Sequence, residues 1–276
     1  MPKTRSLVKQ VQDVLQSKLC IGESKYLAKR EGTAINGIYS WSTYRTYLQQ
    51  SVAFAKWVKS THGCRSLDEA RQHVNEYIKG KIDQGYSPFT QKVIASALGK
   101  VYGCSSTDFI QTNARYRASI VRSRQGKAIF SEEKNREFVD FCKATGLRRS
   151  EIQRLKPDQL RYDETTRQYS LEIKGKGGKV RIVPILSQEA VARISSTPTG
   201  QLVWNVPTRA DIHSYRAVYC QSIYYKHARS LADIPEQDRY RCRKDLRGVI
   251  YDKRAMLIAS QALGHNRIDV IAAHYL

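Results

Sequence analysis

Apolar residues recur at the spacing of an amphipathic helix through the first part of the chain, up to about residue 105. Leu7, Val11 and Leu15 fall on one face of a first helix, and a second apolar face runs from Tyr44 to Val58. Strict alternation of apolar and polar residues, which is typical of a strand, does not occur in this region. The pattern therefore predicts an N-terminal region built from helices.

Local signals predict where two of these helices begin and end. Ser66-Leu67-Asp68-Glu69 is a capping box, in which a hydroxyl and a carboxylate satisfy the free amides at a helix start. The helix behind it carries Ala70 to Ile82. Ser87-Pro88 opens the next helix, because proline loses no hydrogen bond at the first helical position, and Gly103 closes it.

The second half of the chain mixes helical and strand periodicity. Ser131 caps a predicted helix that ends at Gly146, and Ser150 with Gln153 caps the next one. Alternation on both sides of a glycine-rich turn at 175–178 predicts a β-hairpin, with the alternating residues Tyr169, Leu171, Ile173, Val180 and Ile182. Further helices are predicted at 188–194, 214–228, 253–262 and 268–275. The expected fold class is mainly α with a small β-sheet or hairpin.

The chain is strongly basic, with 47 Lys and Arg against 25 Asp and Glu and a formal net charge of +22. Both parts share the excess: 21 basic and 8 acidic residues occur up to Lys127, and 26 and 17 after it. Lys and Arg that neutralise phosphates release counterions and drive binding to nucleic acid. The basic residues are not gathered on one helix or tail, so a membrane surface explains the charge less well than DNA does.

The sequence also indicates the cellular compartment of the protein. No apolar run approaches the ~20 residues of a membrane span, and the N-terminus lacks the apolar core of a secretion signal. We therefore expect a cytoplasmic protein. No CxxC spacing occurs among the six cysteines, which we expect to be reduced thiols rather than metal ligands: Cys20, Cys64, Cys104, Cys142, Cys220 and Cys242.

Six residues of the second half stand in distinctive local frames. These are Arg148 in Ala-Thr-Gly-Leu-Arg, Lys176 in Gly-Lys-Gly-Gly-Lys, His213 and Arg216 in His-Ser-Tyr-Arg, His265 in Leu-Gly-His, and Tyr275 in His-Tyr-Leu. Breaking a phosphodiester without a metal requires cations for the transition state, an ionised nucleophile and a proton for the leaving group. Two guanidiniums, a lysine, two imidazoles and a tyrosine suit that chemistry.

In their order and framing these residues resemble the catalytic domain of the tyrosine recombinases, the phage-integrase family that includes the Xer and Cre recombinases. The resemblance covers roughly residues 40 to 276. It implies a helical core-binding (SAM-like) N-terminal domain followed by a mixed α+β catalytic domain. It also implies DNA cleavage through a 3′-phosphotyrosine, with no cofactor, metal or ATP.

The resemblance also implies a role for each cation. Arg148 and Arg216 hold the scissile phosphate, where the guanidinium fork matches two phosphate oxygens. Lys176 protonates the departing 5′ oxygen, and Lys174 and Lys179 remain alternatives to it.

Tyr275 is the implied nucleophile and stands ten residues after His265. His213 is implied to be its general base or a group that holds the phosphate, and His265 to be a hydrogen-bond partner of a phosphate oxygen. His274, beside the tyrosine, is an alternative base. A phenol ionises near pH ~10, so attack at neutral pH requires a base and a cationic pocket.

One interval departs from the family pattern. Arg216 and His265 are 49 residues apart, about twice the usual separation, and the extra segment is roughly 229–252. This insert contains Lys244 and Arg247 at the same spacing as His213 and Arg216, so they remain an alternative to that pair. We expect the insert to contact DNA or a neighbouring subunit.

The resemblance also leads us to expect a segment after Tyr275 that docks on the adjacent protomer. The printed chain has one residue there. Either another element, such as the insert, takes that part, or the chain has been shortened.

The sequence thus predicts a core-binding DNA-binding domain at 1–114, a basic interdomain linker at 115–127 and a catalytic domain at 128–276. A basic linker suits a path along the phosphate backbone. The predicted DNA contacts are Arg115, Arg117, Arg122, Arg124, Lys127, Arg149, Lys174 and Lys179.

The implied function is site-specific recombination or integration of double-stranded DNA through a four-way junction. The expected partners are DNA with inverted half-sites, a second protomer on each site, four protomers in synapsis and accessory DNA-bending proteins, with the protein associated with the nucleoid. Two other functions stay open: a type IB-like DNA topoisomerase and a non-catalytic DNA-binding protein.

Overall fold

The computed structural model describes residues 5–116, 130–175 and 178–276. Contacts between residues divide the chain into two compact units, Met1–Val121 and Arg122–Leu276, and each has its own buried apolar cluster. Within the described ranges, no helix is both long and apolar enough to cross a membrane. The domain and linker boundaries predicted above remain predictions.

The first unit is helical, as the periodicity predicts. Its helices are α1 (Leu7–Ser17), α2 (Lys25–Arg30), α3 (Trp41–His62), α4 (Leu67–Arg71), α5 (Val74–Asp83) and α6 (Pro88–Tyr102). The long helix α3 packs against α1 and α6, and Leu15, Phe54 and Leu98 are fully buried. Each of α3 and α6 ends at a glycine with positive φ, Gly63 and Gly103, because glycine adopts that conformation without steric cost.

The helix predicted behind the capping box is in fact two helices. Ser66 Oγ accepts a hydrogen bond from the Glu69 amide, as expected, but the Glu69 carboxylate accepts one from the Arg65 amide. Past α4, the His73 amide bonds to the Ala70 carbonyl three residues back, and this tighter turn interrupts the helical ladder. The prediction of one continuous helix was wrong for this reason.

The second unit contains a three-stranded antiparallel sheet in the order β1-β2-β3. Its helices are α7 (Arg136–Thr145), α8 (Arg149–Ile152), α9 (Gln188–Ser195), α10 (Ile212–His227), α11 (Lys253–Leu263) and α12 (Ile268–His274). The strands are β1 (Leu160–Asp163), β2 (Gln168–Lys174), β3 (Val180–Pro184), β4 (Arg239–Arg241) and β5 (Ile250–Asp252). The chain is thus mainly helical with small antiparallel sheets, as predicted.

The predicted hairpin is present as β2 and β3, with Leu171 opposite Val183 in the register. Leu171, Ile173 and Val183 are buried, whereas the alternating residues Val180 and Ile182 lie on the exposed face of β3. Strand β1, which pairs with β2, was not predicted from the sequence.

Two predicted helix starts differ from the structure. Ser131 Oγ does accept a hydrogen bond from the Lys134 amide, but that segment is a turn, and α7 begins only at Arg136. Ser150 and Gln153 do not form the cap of α8. Arg148 is its N-cap residue instead, and the Glu151 carboxylate accepts the Arg148 amide at 2.7 Å.

The insert contains a short antiparallel pair of strands, β4 and β5, and hydrogen bonds join its first residue to its last. Arg229, its first residue, donates to Asp252, its last residue, at 2.7 Å and to Asp238 at 2.8 Å. The side chain of Asp252 is almost fully buried and also caps α11 through the Arg254 amide. Hydrogen bonds from Arg229 are the main cause of the lowered pKa of Asp252 and outweigh its burial.

Candidate active site

Tyr275 is buried against α10 and α11 at the end of α12, with 3% of its surface exposed. Its hydroxyl lies 3.1 Å from Nε2 of His265 and accepts a hydrogen bond of 3.4 Å from Nε of Arg216. Gln221, on α10, donates to the Tyr275 carbonyl at 2.9 Å and fixes the backbone there. The hydroxyl oxygen of Tyr275 is therefore in contact with His265 and Arg216, two other residues of the predicted set.

Arg216 lies on the buried face of α10, with 2% of its surface exposed. Besides Tyr275, its guanidinium donates to the carbonyls of Gly146 and Leu263, at the ends of α7 and α11. Burial lowers the pKa of Arg216, and the neighbouring Arg148 acts in the same direction. Three helices thus hold this cation beside the tyrosine.

Arg148 precedes α8 and is more accessible, with 27% of its side chain exposed. Its Nη2 atom donates at 3.2 Å to the Leu263 carbonyl, the same oxygen that accepts from Arg216. One backbone oxygen therefore joins the two guanidiniums. This spacing suits two cations that hold one phosphate group.

Glu151 and Arg181 complete this cluster and were not predicted as site residues. The Glu151 carboxylate accepts two hydrogen bonds from Arg181, at 2.9 and 2.8 Å, and one from Nη1 of Arg148 at 2.8 Å. Burial raises the pKa of Glu151, but hydrogen bonds from Arg181 and Arg148 outweigh it and hold the pKa at about 2. An ionised carboxylate therefore fixes two arginines. The sequence contained a signal for it: the helix-start position of Glu151, three residues after Arg148.

Two glycines of the sequence frames make the approach of these elements possible. Gly146 and Gly264 have φ of +57° and +71° and end α7 and α11. A Cβ at Gly146 would lie 2.2 Å from the Tyr219 ring, and one at Gly264 would lie 2.7 Å from Cδ of Arg181. Both positions thus require glycine for conformation and for space.

His265 follows Gly264, directly after α11, and its ring centroid is 5.5 Å from that of Tyr275. Burial lowers the pKa of His265 to about 4, and the nearby cations Arg216, Arg148 and Arg181 add to the effect. The imidazole is therefore neutral at neutral pH and shares one hydrogen bond with the phenol.

His213 lies at the exposed start of α10, and its ring meets the Tyr275 ring edge-on with centroids 5.5 Å apart. It stands one helical turn before Arg216, so both approach Tyr275 from the same helix. Lys244, the alternative to His213, begins the short 3-10 helix Lys244–Leu246 between β4 and β5. His213 and Arg216 thus both contact Tyr275.

Lys176 lies outside the described residues, so its predicted role stays a prediction. Of the described residues on either side of it, Gly175 donates its amide hydrogen to the Lys179 carbonyl at 2.8 Å. Lys179 lines an open cavity of about 540 Å³ together with Arg148, Arg181 and Asn266. Gly175 and Lys179 thus border the same cavity as the clustered arginines.

The remaining predicted DNA contacts have varied surroundings. Arg149 donates to the carbonyls of Pro207 and Ala210, both at 2.7 Å, so its guanidinium binds the protein's own backbone. Arg115 is exposed and lies over the Phe89 ring at 6.0 Å, and Lys174 is exposed at the end of β2. The other predicted linker contacts, Arg117, Arg122, Arg124 and Lys127, fall outside the described residues.

The lowered pKa of His265 predicts its behaviour on binding an anion. We expect NMR to show a neutral His265 imidazole at pH 6, because that pH lies above its pKa of about 4. Vanadate, a mimic of pentacoordinate phosphorus, should raise the pKa of His265, since a nearby anion favours the imidazolium. A His265 signal that titrates near pH 6.5 without vanadate, or that does not respond to it, would contradict this arrangement.

Comparison with known proteins identifies the fold of the chain. Neither a protein-family model nor a curated protein sequence matches the chain. The XerH site-specific recombinase, bound to palindromic difH substrate in a post-cleavage complex, aligns with 97% of this chain and 91% of its own, at 15% identity and a TM-score of 0.57. XerH bound to difH in a pre-cleavage complex aligns with 97% and 92%, at 14% identity and a TM-score of 0.53. The chain therefore has the fold of the tyrosine recombinases.

Proposed function

We propose that this protein is a site-specific DNA recombinase that cleaves and rejoins DNA through a 3′-phosphotyrosine at Tyr275. One observation carries the proposal: the Tyr275 hydroxyl lies within hydrogen-bonding distance of both His265 and Arg216, with Arg148 joined to Arg216 through one carbonyl. The structures of the XerH site-specific recombinase bound to difH substrate support the proposal at the level of fold.

In the proposed reaction, the Tyr275 oxygen forms a bond to phosphorus and the bond from phosphorus to the 5′ oxygen breaks. Arg148 and Arg216 neutralise the added negative charge on the non-bridging oxygens. Lys176 gives a proton to the departing 5′ oxygen. The new ester keeps the energy of the old one, so a 5′ hydroxyl of a second strand can reverse the step without ATP.

The geometry favours different roles for His213 and His265 in the proposed reaction. Nε2 of His265 lies 3.1 Å from the phenol oxygen, so we assign His265 as the group that accepts the phenol proton. The scissile phosphate raises the basicity of His265 on arrival, since an anion stabilises the imidazolium. His213, at the exposed end of α10, is then the group that holds a phosphate oxygen.

We further propose that two protomers bind inverted half-sites and that four meet in synapsis. The helical unit and the catalytic unit each supply basic residues to the DNA, in keeping with the positive excess in both parts of the chain. The insert, whose exposed turn carries Arg243, Lys244 and Arg247, supplies a DNA or subunit contact. Action on chromosomal or mobile DNA in the cytoplasm, with accessory DNA-bending proteins, belongs to the same proposal.

Covalent trapping tests this function. Nicked suicide duplexes made from the DNA that flanks the gene are incubated with the protein in EDTA and without nucleotide. The nick releases a short fragment after cleavage and prevents religation, so we expect an adduct that survives denaturant. Recombined products from two intact sites would separate a recombinase from a topoisomerase, which relaxes supercoils and rejoins the same strand. DNA binding without any adduct would contradict the proposal and favour a binding protein.

The proposed acid has its own test. Lys176→Ala should slow cleavage of an ordinary duplex by about 10²–10⁴-fold, the usual contribution of a general acid. Sulfur in place of the departing 5′ oxygen should restore cleavage, because a thiol ionises near pH ~8.5 and leaves without a proton. Lys174→Ala and Lys179→Ala serve as matched controls, and Arg148→Ala should gain no rescue. A rescue confined to one of the control lysines would reassign the acid.

A further inference from the structure

Two histidines and a glutamate converge in the first unit, and none of them belongs to the candidate active site. His62 is the last residue of α3, His73 lies in the turn before α5, and Glu76 is in the first turn of α5. Nε2 of His62 lies 3.0 Å from a Glu76 carboxylate oxygen, and Nδ1 of His73 lies 3.3 Å from the same oxygen. All three side chains therefore direct a donor atom to one place.

These separations suit a metal ion. Bonds of about 2.0–2.1 Å to a tetrahedral zinc put neighbouring ligand atoms roughly 3.3 Å apart. The three donor atoms lie within 4.8 Å of one another. Small rotations of the side chains, which are 23%, 20% and 53% exposed for His62, His73 and Glu76, bring them around a common centre.

The donor types narrow the choice of ion. Two imidazoles with one carboxylate suit zinc and its neighbours in the first transition series, whereas calcium and magnesium prefer oxygen ligands alone. The rings of His62 and His73 stack with centroids 3.7 Å apart and planes 15° apart. A cation bound by both imidazoles and the carboxylate would rotate the two rings so that one nitrogen of each faces the ion.

We propose that His62, His73 and Glu76 form a zinc-binding site that fastens the end of α3 to the start of α5, with water as the fourth ligand. The interruption between α4 and α5 has a role in this proposal, because it is the turn that brings His73 over the His62 ring. The site belongs to the helical unit and includes none of the residues proposed to act on the phosphodiester, so it is independent of the chemistry proposed for Tyr275.

Metal titration of the full-length protein tests the site. After treatment with EDTA and its removal, we expect one equivalent of Zn²⁺ to bind with a dissociation constant in the micromolar range or tighter. Co²⁺ in its place should give the visible absorption of four-coordinate cobalt. His62→Gln and His73→Gln should each weaken zinc binding by about 100-fold or more. His227→Gln, which removes an exposed histidine of the second unit, should bind like the wild type.

A neighbouring tryptophan locates the bound ion. The Trp57 ring centroid is 5.3 Å from that of His62, so Co²⁺ at this site should quench Trp57 fluorescence. Trp57→Phe should lose that quenching and keep the cobalt absorption. Glu76→Gln, at a half-exposed position, serves as a third ligand variant if a histidine variant fails to fold.

The results separate this site from an ordinary histidine–carboxylate hydrogen bond. Absence of a zinc equivalent in the wild type would overturn the proposal. Zinc binding that survives both His62→Gln and His73→Gln, or that is lost only in His265→Gln, would overturn it as well. Either outcome leaves the proposed function of Tyr275 untouched, because covalent trapping is done in EDTA.

Discussion

Tyr275→Phe is expected to abolish covalent adduct formation and strand exchange, with cleavage reduced by about 10⁴-fold or more. The substitution removes the attacking oxygen and keeps the ring that packs against His213 and His265. DNA binding should stay within a few-fold of the wild type, because Arg148 and Arg216 keep their backbone partners. Gel retardation and suicide-substrate cleavage measure the two properties on the same preparation.

Tyr225→Phe is the matched control for this variant. Tyr225 lies on α10 with 69% of its surface exposed, so the same loss of a hydroxyl there should leave both binding and cleavage unchanged. Cleavage that persists in Tyr275→Phe would remove this residue from the role of nucleophile. Equal losses of binding and cleavage would instead indicate a folding defect, which circular dichroism detects.

Glu151→Gln should lower the free energy of unfolding by about 3–5 kcal/mol, the usual effect of breaking a buried ion pair. The neutral amide cannot satisfy Arg148 and Arg181 together, and both cations remain in place near Arg216. The matched control is Glu172→Gln, on β2. Glu172 pairs with Arg161 at 3.3 Å where 44% and 49% of the two side chains are exposed, so we expect about 0–1 kcal/mol there. Chemical denaturation measures both variants.

The effect of Glu151 should also depend on pH. Its pKa is held at about 2 in the folded protein and lies near ~4.3 in an unfolded chain. A lowered carboxyl pKa contributes stability above the unfolded value and loses it as pH falls through the folded value. The difference between wild type and Glu151→Gln should therefore be full at pH 6 and shrink between about pH 4.3 and pH 2. A difference that is the same at pH 6 and pH 2 would contradict the assigned ionisation.

The sequence predicted most helices of the first unit, and it predicted the residues that meet at Tyr275. Regular apolar spacing determines α1 and α3, because burial of one face is a local requirement that neighbouring turns share. The order of the motif frames predicted that Arg216, His265 and Tyr275 would act together, and the structure brings their side chains into contact. Their distance apart in the chain gave no physical reason to expect this, so the prediction rested on resemblance.

Other features depend on tertiary contacts that a linear pattern does not contain. In the sequence, Arg181 is one residue of an alternating segment that predicts a strand. Its guanidinium reaches Glu151 and the Ala262 carbonyl only because β3 packs beside α11. Strand β1 is short and mostly polar, so its partner β2 determines it. The break at His73 is marked by backbone hydrogen bonds from Gln72 and His73 to the Ala70 carbonyl, which apolar spacing does not reveal.

The most direct test of the central claim is to identify the atom that carries the DNA. The covalent adduct trapped on a suicide duplex is digested with protease and nuclease, and the nucleotide-bearing peptide is sequenced by mass spectrometry. The proposed chemistry predicts a 3′-nucleotide attached to the Tyr275 side chain, in the peptide that contains His274 and Leu276. A nucleotide on any other residue, or attachment through a 5′ phosphate, would contradict it.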